Sequence, residues 1–125
     1  MSKAVIHVAV VDDDAAVRKA FARLLSASSF EAKTYGSALE FLKSLKTVEA
    51  PECLVVDLHM PDLTGLDLQH QLTRLGLKIP TIVVTAFNEP GIRERCQSAG
   101  AAAFLLKPLK GEILIGAINA AIKAP

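Results

Sequence analysis

The sequence has little net charge, few cysteines and no long hydrophobic run. Fourteen Lys and Arg against 13 Asp and Glu leave a net charge of +1 over 125 residues. Hydrophobic residues make up 51% and charged residues 22%, so the composition indicates neither a disordered chain, nor a basic nucleic-acid surface, nor an acidic tail. A chain of this length forms one domain with its own core. We therefore expect one domain, residues 1–125, that makes no direct contact with nucleic acid.

The two cysteines belong to no CxxC pattern, which argues against a zinc site or a disulfide framework. We interpret Cys53 and Cys96 as small hydrophobic residues in a reducing cytoplasm. Residues 4–11 are apolar but contain His7 and lead into three acids, whereas a helix needs about 20 apolar residues to span a bilayer. We expect a cytoplasmic protein with neither a targeting segment nor a membrane contact.

Apolar segments alternate with amphipathic ones along the whole chain. Strands are predicted at residues 4–11, 30–35, 52–58, 80–87 and 101–107, of which 30–35 is half polar. A helix is predicted after each strand, the last over residues 109–123 with an apolar stripe of Leu114, Ala117, Ile118, Ala121 and Ile122. Short connections between the elements predict a doubly wound, flavodoxin-like α/β fold, with five parallel strands and five helices on both faces of the sheet.

Polar residues that can carry chemistry stand at the ends of these strands. Asp12 and Asp13 follow the first strand, Asp57 the third, Thr85 the fourth and Lys107 the fifth. In sheets of this kind the working crevice lies at the carboxyl ends of the strands, near the point where the winding reverses. Any one of these residues alone is readily explained as a helix cap, a packing residue or a surface charge. Together they predict a site.

Only a few kinds of chemistry suit this set of side chains. Carboxylate oxygens are the ligands of a hard cation such as Mg²⁺. A carboxylate held beside Mg²⁺ and a lysine can attack a phosphoryl group, because the cations offset charge on the phosphoryl oxygens. Asp57 stands alone and central, and is therefore the candidate nucleophile.

Four motifs closely resemble those of the receiver domain of two-component response regulators, in the same order and strand context: Asp12-Asp13, DLHMPD at residues 57–62, Thr85-Ala86 and Lys107-Pro108. The resemblance covers essentially the whole chain. The segments VVDDDAAVRKAFARLL and VVDLHMPDLTGLDLQ are also similar to the FixJ and NarL-like subgroup, whose receivers usually precede a LuxR-type helix-turn-helix.

The resemblance implies a role for each residue of the site. Asp57 resembles the phosphoacceptor, and the implied Mg²⁺ ligands are Asp12, Asp13, Asp57 and the backbone carbonyl of His59. Thr85 resembles the switch hydroxyl that binds the phosphoryl group, Lys107 the lysine that pairs with it, and Phe104 the switch aromatic. Phe104 lacks the hydroxyl of the commoner Tyr, so it would act by packing alone. The Lys107-Pro108 bond is commonly cis in this family.

The resemblance also implies partners and a task. The phosphoryl group would come from a sensor histidine kinase, and phosphorylation would promote a homodimer through the fourth helix, fifth strand and fifth helix. Ile113 and Ile115 lie off the apolar stripe of the last helix and are candidates for that contact. We expect a signalling phosphoacceptor that catalyses only its own phosphorylation and dephosphorylation. We also expect it to be the regulatory part of a longer transcription factor, whose DNA-binding domain is not in this sequence.

Several further residues receive a structural interpretation. Asp14 is assigned to helix capping, Asp62 and Asp67 to the start of the third helix, and His7 and His70 to packing or the surface. His59 and Phe87 flank the site. They are either plain rim residues or residues that alter how fast water removes the phosphoryl group.

Three other classes of protein share parts of this pattern. A haloacid dehalogenase-type phosphohydrolase would carry a second acid two places after its nucleophile, where this sequence has His59. A flavodoxin-like cofactor binder needs a glycine- and hydroxyl-rich phosphate loop after the first strand, and the loop here is acidic. A receiver-like docking module that is never phosphorylated would be expected to have lost one of the five site residues.

Overall fold

The fold is a five-stranded parallel sheet, described for residues 5–123 by a computed structural model. The strands are β1 (Ile6–Val11), β2 (Phe30–Tyr35), β3 (Cys53–Asp57), β4 (Thr81–Thr85) and β5 (Ala103–Leu106). Their order is β2-β1-β3-β4-β5, and every neighbouring pair is parallel. The predicted fold class is confirmed.

Five helices make the crossovers that parallel strands require. They are α1 (Ala15–Ala27), α2 (Ala38–Ser44), α3 (Gly65–Arg74), α4 (Ile92–Ser98) and α5 (Gly111–Lys123). α5 begins two residues later than predicted, because the carbonyl of Lys110 accepts its first backbone hydrogen bonds. Gly100 closes the turn after α4 at φ 98°, a conformation that glycine adopts without strain. Among residues 5–123 no helix is long and apolar enough to cross a bilayer.

Polar N-caps explain where the first three helices start. The Asp14 carboxylate accepts from the backbone N–H groups at the start of α1, which confirms its capping role. The Ser37 hydroxyl accepts from Glu40 at the start of α2. Thr64 and Asp67 form a complete capping box at α3, in which each side chain accepts from the other residue's N–H.

The core consists of two apolar clusters separated by the sheet. Alternate strand residues point to opposite faces, so Val11, Val56 and Val83 belong to one cluster and Val10, Val55 and Val84 to the other. The first cluster, which also contains Phe41, Leu68, Ile92 and Phe104, packs under α2, α3 and α4. The second, with Leu25, Leu114 and Ile118, packs under α1 and α5. Burial on both faces explains why these strands are apolar at consecutive positions.

The strand order places the winding reversal between β1 and β3. Val11 pairs with Val56, so Asp12 and Asp57 stand level at the carboxyl ends of neighbouring strands. Thr85 ends β4 opposite Leu106, and Lys107 follows directly. The carboxyl ends of four strands, β1, β3, β4 and β5, therefore converge where open α/β sheets bind their ligands.

Candidate functional site

Three carboxylates meet at the β1/β3 edge. Asp12, Asp13 and Asp57 each have an oxygen, and these oxygens all lie within 4.8 Å of one another. Asp12 is only 2% exposed, the Asp57 side chain is 11% exposed, and Asp13 is open to solvent. The acids predicted to lie together do so, in a cleft that is closed at the bottom and open at Asp13.

Lys107 is the cation that faces these acids. Its Nζ lies 3.1 Å from Oδ2 of Asp12 and 3.7 Å from Oδ2 of Asp57. The Lys107 N–H donates to the carbonyl of Thr85 at 2.8 Å, which fixes the backbone next to β4. The following Lys107-Pro108 peptide bond is cis.

The charges in the cleft do not balance. Burial raises the pKa of Asp57, the Lys107 ammonium lowers it, and the Asp12 carboxylate raises it again. A smaller lowering comes from the His59 N–H, which donates to Oδ1 of Asp57 at 3.4 Å. One ammonium against three carboxylates leaves an excess of negative charge that favours a bound cation.

Asp12 is held by contacts that the sequence did not indicate. The Asp14 N–H donates to its Oδ1 at 2.9 Å, and its own N–H donates to the carbonyl of Tyr35 at 3.1 Å. Arg18 reaches back from α1, and its Nη1 donates to the Asp12 carbonyl at 2.7 Å. Arg18 lies six residues away and off the apolar face of α1, a position that no spacing rule singles out.

Asp57 is positioned through the backbone of the next residue, Leu58. The Leu58 N–H donates to the Val84 carbonyl at 3.0 Å, and the Gly65 N–H donates to the Leu58 carbonyl at 3.0 Å. Gly65 opens α3 so close to this strand end that an added Cβ would lie 3.0 Å from the carbonyl oxygen of Asp57. A Cβ this close is tighter than nearly all real Cβ contacts, so a side chain at this position would press on the backbone that carries Asp57.

Thr85 is completely buried, and its hydroxyl is engaged within its own loop. The hydroxyl donates to the carbonyl of Phe87 at 3.3 Å and accepts from the Phe87 N–H at 3.2 Å. Its single hydrogen is therefore directed at the β4–α4 loop. Thr85 stands at the predicted strand end, but its contacts are with that loop.

Phe104 is 4% exposed and packs in the first cluster beside α4. Cζ of Arg93 on α4 lies 4.9 Å above the centroid of its ring, a cation–π contact. The aromatic ring is thus turned inward, covered by a charged side chain.

His59, Phe87 and Glu89 form what we call the rim cluster. The His59 and Phe87 rings make an edge contact with centroids 5.5 Å apart. Nε2 of His59 lies 3.3 Å from Oε1 of Glu89. His59 and Phe87 were expected to flank the site, whereas Glu89 was missed because only the folded path of the β4–α4 loop brings it to His59.

The remaining singled-out acids and histidines lie outside the cleft's contacts. Asp67 caps α3 as described, but Asp62 accepts from the Leu39 N–H at 3.1 Å and so serves the start of α2 rather than α3. His7 and His70 are exposed. Asp62 was therefore assigned to the wrong helix, because its loop folds back towards α2.

Both cysteines are buried and free. Burial raises the pKa of the Cys53 thiol to about 12 and also raises the pKa of Cys96. Both therefore remain protonated thiols at neutral pH, which agrees with the packing role expected of them.

Comparison with known proteins identifies relatives of the whole domain. The family described as response regulator receiver domain matches residues 8–119. The response regulator protein TmoT of Ectopseudomonas mendocina is 37% identical over 114 residues, which are 91% of this chain and 51% of that protein. The transcriptional regulatory protein FixJ of Rhizobium meliloti is 37% identical over 112 residues, 90% of this chain and 54% of that protein.

Solved structures of response regulators are also similar to this chain. The crystal structure of FixJ-N is 34% identical, with a TM-score of 0.89 and coverage of 98% of both chains. The structure of the response regulator StyR is 37% identical, with a TM-score of 0.85, over 96% of this chain and 60% of that one. The chain spans about half the length of the curated relatives that it matches.

Proposed function

The chain belongs to the response regulator receiver domain family, and on that premise we propose that it is a phosphorylation-controlled switch whose phosphoacceptor is Asp57. The observation that carries the proposal is the contact of Asp57 with both an acidic pair and a lysine, at the carboxyl end of a central strand. The haloacid dehalogenase reading is disfavoured by His59 at the position of its second acid, and the cofactor-binding reading by the acidic loop after β1.

We propose that Asp12, Asp13, Asp57 and the His59 carbonyl hold Mg²⁺. The donor set fits, because it is all oxygen, converges within 4.8 Å and carries excess negative charge. When bound, Mg²⁺ supplies positive charge next to the phosphoryl oxygens. Asp57 then attacks phosphorus through a carboxylate oxygen: the new bond joins that oxygen to phosphorus, and the bond from phosphorus to the donor breaks. Lys107, whose Nζ lies 3.7 Å from Oδ2 of Asp57, supplies a further positive charge that stabilises the transferred group.

A labelling experiment tests the acceptor. Incubation with acetyl phosphate and Mg²⁺ should add one acid-stable, base-labile phosphoryl group, and Asp57→Asn should abolish the addition. Asp62→Asn is the matched control, since Asp62 lies in the same loop but serves α2. Undiminished label in Asp57→Asn, or label on a histidine, would disprove the assignment.

The proposed Mg²⁺ site can be tested by measuring how Mg²⁺ changes the stability of the protein. A ligand that binds only the folded protein stabilises it by mass action, so Mg²⁺ should raise the melting temperature. Asp13→Ala should remove most of that rise, whereas Asp14→Asn, which can still cap α1, should keep it. An unchanged melting temperature of the parent in millimolar Mg²⁺ would contradict the proposed metal site.

We propose that Thr85 and Phe104 convert phosphorylation into a change of surface. A hydrogen bond from Thr85 to a phosphoryl oxygen is worth about 1.5–3 kcal/mol, which shifts a two-state loop about ten- to a hundredfold. Thr85→Ala should still be phosphorylated but lose most of the amide shifts that beryllofluoride causes in residues 86–106. The parent's full set of shifts in that variant would place the switch elsewhere.

The proposed partners are a sensor histidine kinase and, after phosphorylation, a second copy bound through α4, β5 and α5. Leu106 and Ile113 are exposed on that face, which supports the contact. Ile115 was also expected there but packs against the second cluster. Sedimentation of the beryllofluoride-treated protein should show a dimer, and a monomer at high concentration would refute it.

We further propose that residues 1–125 are one receiver domain working within a longer transcription regulator. The coverage of about half of each curated relative supports this. The mass of the native polypeptide in cells tests it: a product near 13.3 kDa would contradict the proposal.

A further inference from the structure

The rim cluster joins two loops that are separate in sequence. His59 belongs to the β3–α3 loop, two residues after Asp57, while Phe87 and Glu89 belong to the β4–α4 loop, directly after Thr85. The contacts are the imidazole–carboxylate contact at 3.3 Å and the ring contact at 5.5 Å. Nε2 of His59 therefore faces the Glu89 carboxylate across the gap between the two loops.

The same loop occupies the Thr85 hydroxyl with hydrogen bonds. Phe87 is fixed twice: its backbone carbonyl accepts the only hydrogen of the Thr85 hydroxyl, and its ring lies against His59. Donation from Thr85 to a phosphoryl group on Asp57 requires that its hydrogen bond to the Phe87 carbonyl breaks. A contact that holds Phe87 in place therefore opposes the switch.

We propose that the rim cluster is a latch for the unphosphorylated state, with Glu89 as its positioning residue. Glu89 holds His59, His59 supports the Phe87 ring, and the Phe87 carbonyl keeps the Thr85 hydroxyl occupied. The proposal rests on the proposed function of Asp57 and gives a regulatory role to three side chains that are not themselves proposed to contact the phosphoryl group or the metal. It follows that opening the latch increases the population of the phosphoryl-binding conformation before any phosphoryl group arrives.

The latch is measured with beryllofluoride in the presence of Mg²⁺. A ligand that binds one of two conformations has an apparent affinity proportional to the population of that conformation. The Glu89 and His59 side chains are 55% and 41% exposed, and pairs of this kind change an equilibrium about two- to fivefold. Glu89→Ala should therefore tighten apparent beryllofluoride binding about two- to fivefold. The Phe87 amide signal of the ligand-free variant should also move towards its position in the beryllofluoride-bound parent.

Loss of a negative charge near an anion site would by itself tighten binding, and two variants separate that effect. Glu89→Gln removes the charge but keeps a polar oxygen of the same reach facing Nε2 of His59, so the latch predicts an affinity near that of the parent. Glu94→Ala removes an exposed acid on α4, outside the rim cluster, and should leave the affinity unchanged. Equal affinities of Glu89→Ala and Glu89→Gln would overturn the latch.

A double variant tests the connection to Thr85. If the latch acts through that hydroxyl, adding Glu89→Ala to Thr85→Ala should change beryllofluoride affinity by much less than it does in the parent. A full additional effect would overturn the proposal, as would a Glu89→Ala variant that binds like the parent. A parent that binds no beryllofluoride at all would instead refute the proposed function, so the two failures are distinguishable.

Discussion

Replacing Lys107 with Met should destabilise the metal-free protein by about 2–3 kcal/mol, somewhat below the range for breaking a buried pair. Nζ of Lys107 lies 3.1 Å from an oxygen of Asp12 and 3.7 Å from one of Asp57. At an effective dielectric constant of about 20, these distances correspond to gross attractions of about 5 and 4 kcal/mol. Desolvation offsets much of that gain, and removing one partner of a buried pair costs about 3–5 kcal/mol. The Lys107 side chain is 22% exposed, so water compensates part of its loss.

The pH dependence of this deficit has a definite sign. Lys107 lowers the pKa of Asp57, which burial raises, so the variant should have a still higher pKa at Asp57. A carboxyl whose pKa is higher in the folded than in the unfolded protein stabilises the fold as pH falls. The deficit of the variant should therefore shrink as the pH is lowered from 7 towards the ordinary Asp pKa of about 4.

Urea unfolding followed by circular dichroism, in the presence of a chelator, measures the effect. Lys110→Met is the matched control, because Lys110 lies in the same connection and makes no ion pair within residues 5–123. Adding Mg²⁺ should recover more stability in Lys107→Met than in the parent, since its acids are less compensated. The reasoning would be refuted if the two lysine variants agreed within about 0.5 kcal/mol, the usual range of surface substitutions.

Two further substitutions test the supports of the site and of the core. Gly65→Ala should lower the free energy of unfolding by about 1–3 kcal/mol and slow phosphorylation, because the new Cβ meets the Asp57 carbonyl. The control is Gly116→Ala, which should be neutral or stabilising because Gly116 is a helical glycine with open space around it. Equal effects of the two substitutions would show that the close approach of Gly65 to Asp57 is unimportant. Gln69→Met should leave the free energy of unfolding unchanged or raise it by up to about 2 kcal/mol, because Oε1 of the buried Gln69 has no partner among the described residues. Within residues 5–123 the Gln69 amide donates only one hydrogen bond, at 3.3 Å, to the carbonyl of Cys96. That carbonyl also accepts from the Ala101 N–H and so keeps a partner in the variant. A clear loss of melting temperature in Gln69→Met would mean that Oε1 is bound after all.

Position along the chain was sufficient to predict where the site lies. Apolar segments such as residues 53–56 reveal the strands, and the carboxyl ends of parallel strands meet at one edge, so a linear order of residues becomes a cluster. Asp12, Asp57 and Lys107 could be grouped on that ground alone. The helix starts were equally readable where the capping residue is local, as Asp14 is for α1.

Partner choice across loops could not be predicted in this way. Asp62 serves α2, Glu89 pairs with His59, and Arg18 binds the Asp12 carbonyl. Each contact depends on the path of a loop or on the reach of a long side chain. Each of these residues also has several possible partners of the same chemical type at a similar distance along the sequence. The hydroxyl of Thr85 is the clearest case, since its residue type suits a phosphoryl oxygen and a backbone carbonyl alike.

The division of the core by the sheet bears on how such a chain can diversify. Phe104 packs in the cluster under α2, α3 and α4, whereas α1 and α5 pack on the other cluster. Substitutions that share no neighbours usually combine additively, within about 0.5 kcal/mol. The outer face of α1 can therefore change towards new recognition specificities while the packing around Phe104 in the first cluster is kept. Duplicated copies of one such domain can thus acquire different partners while the packing around Phe104 stays the same.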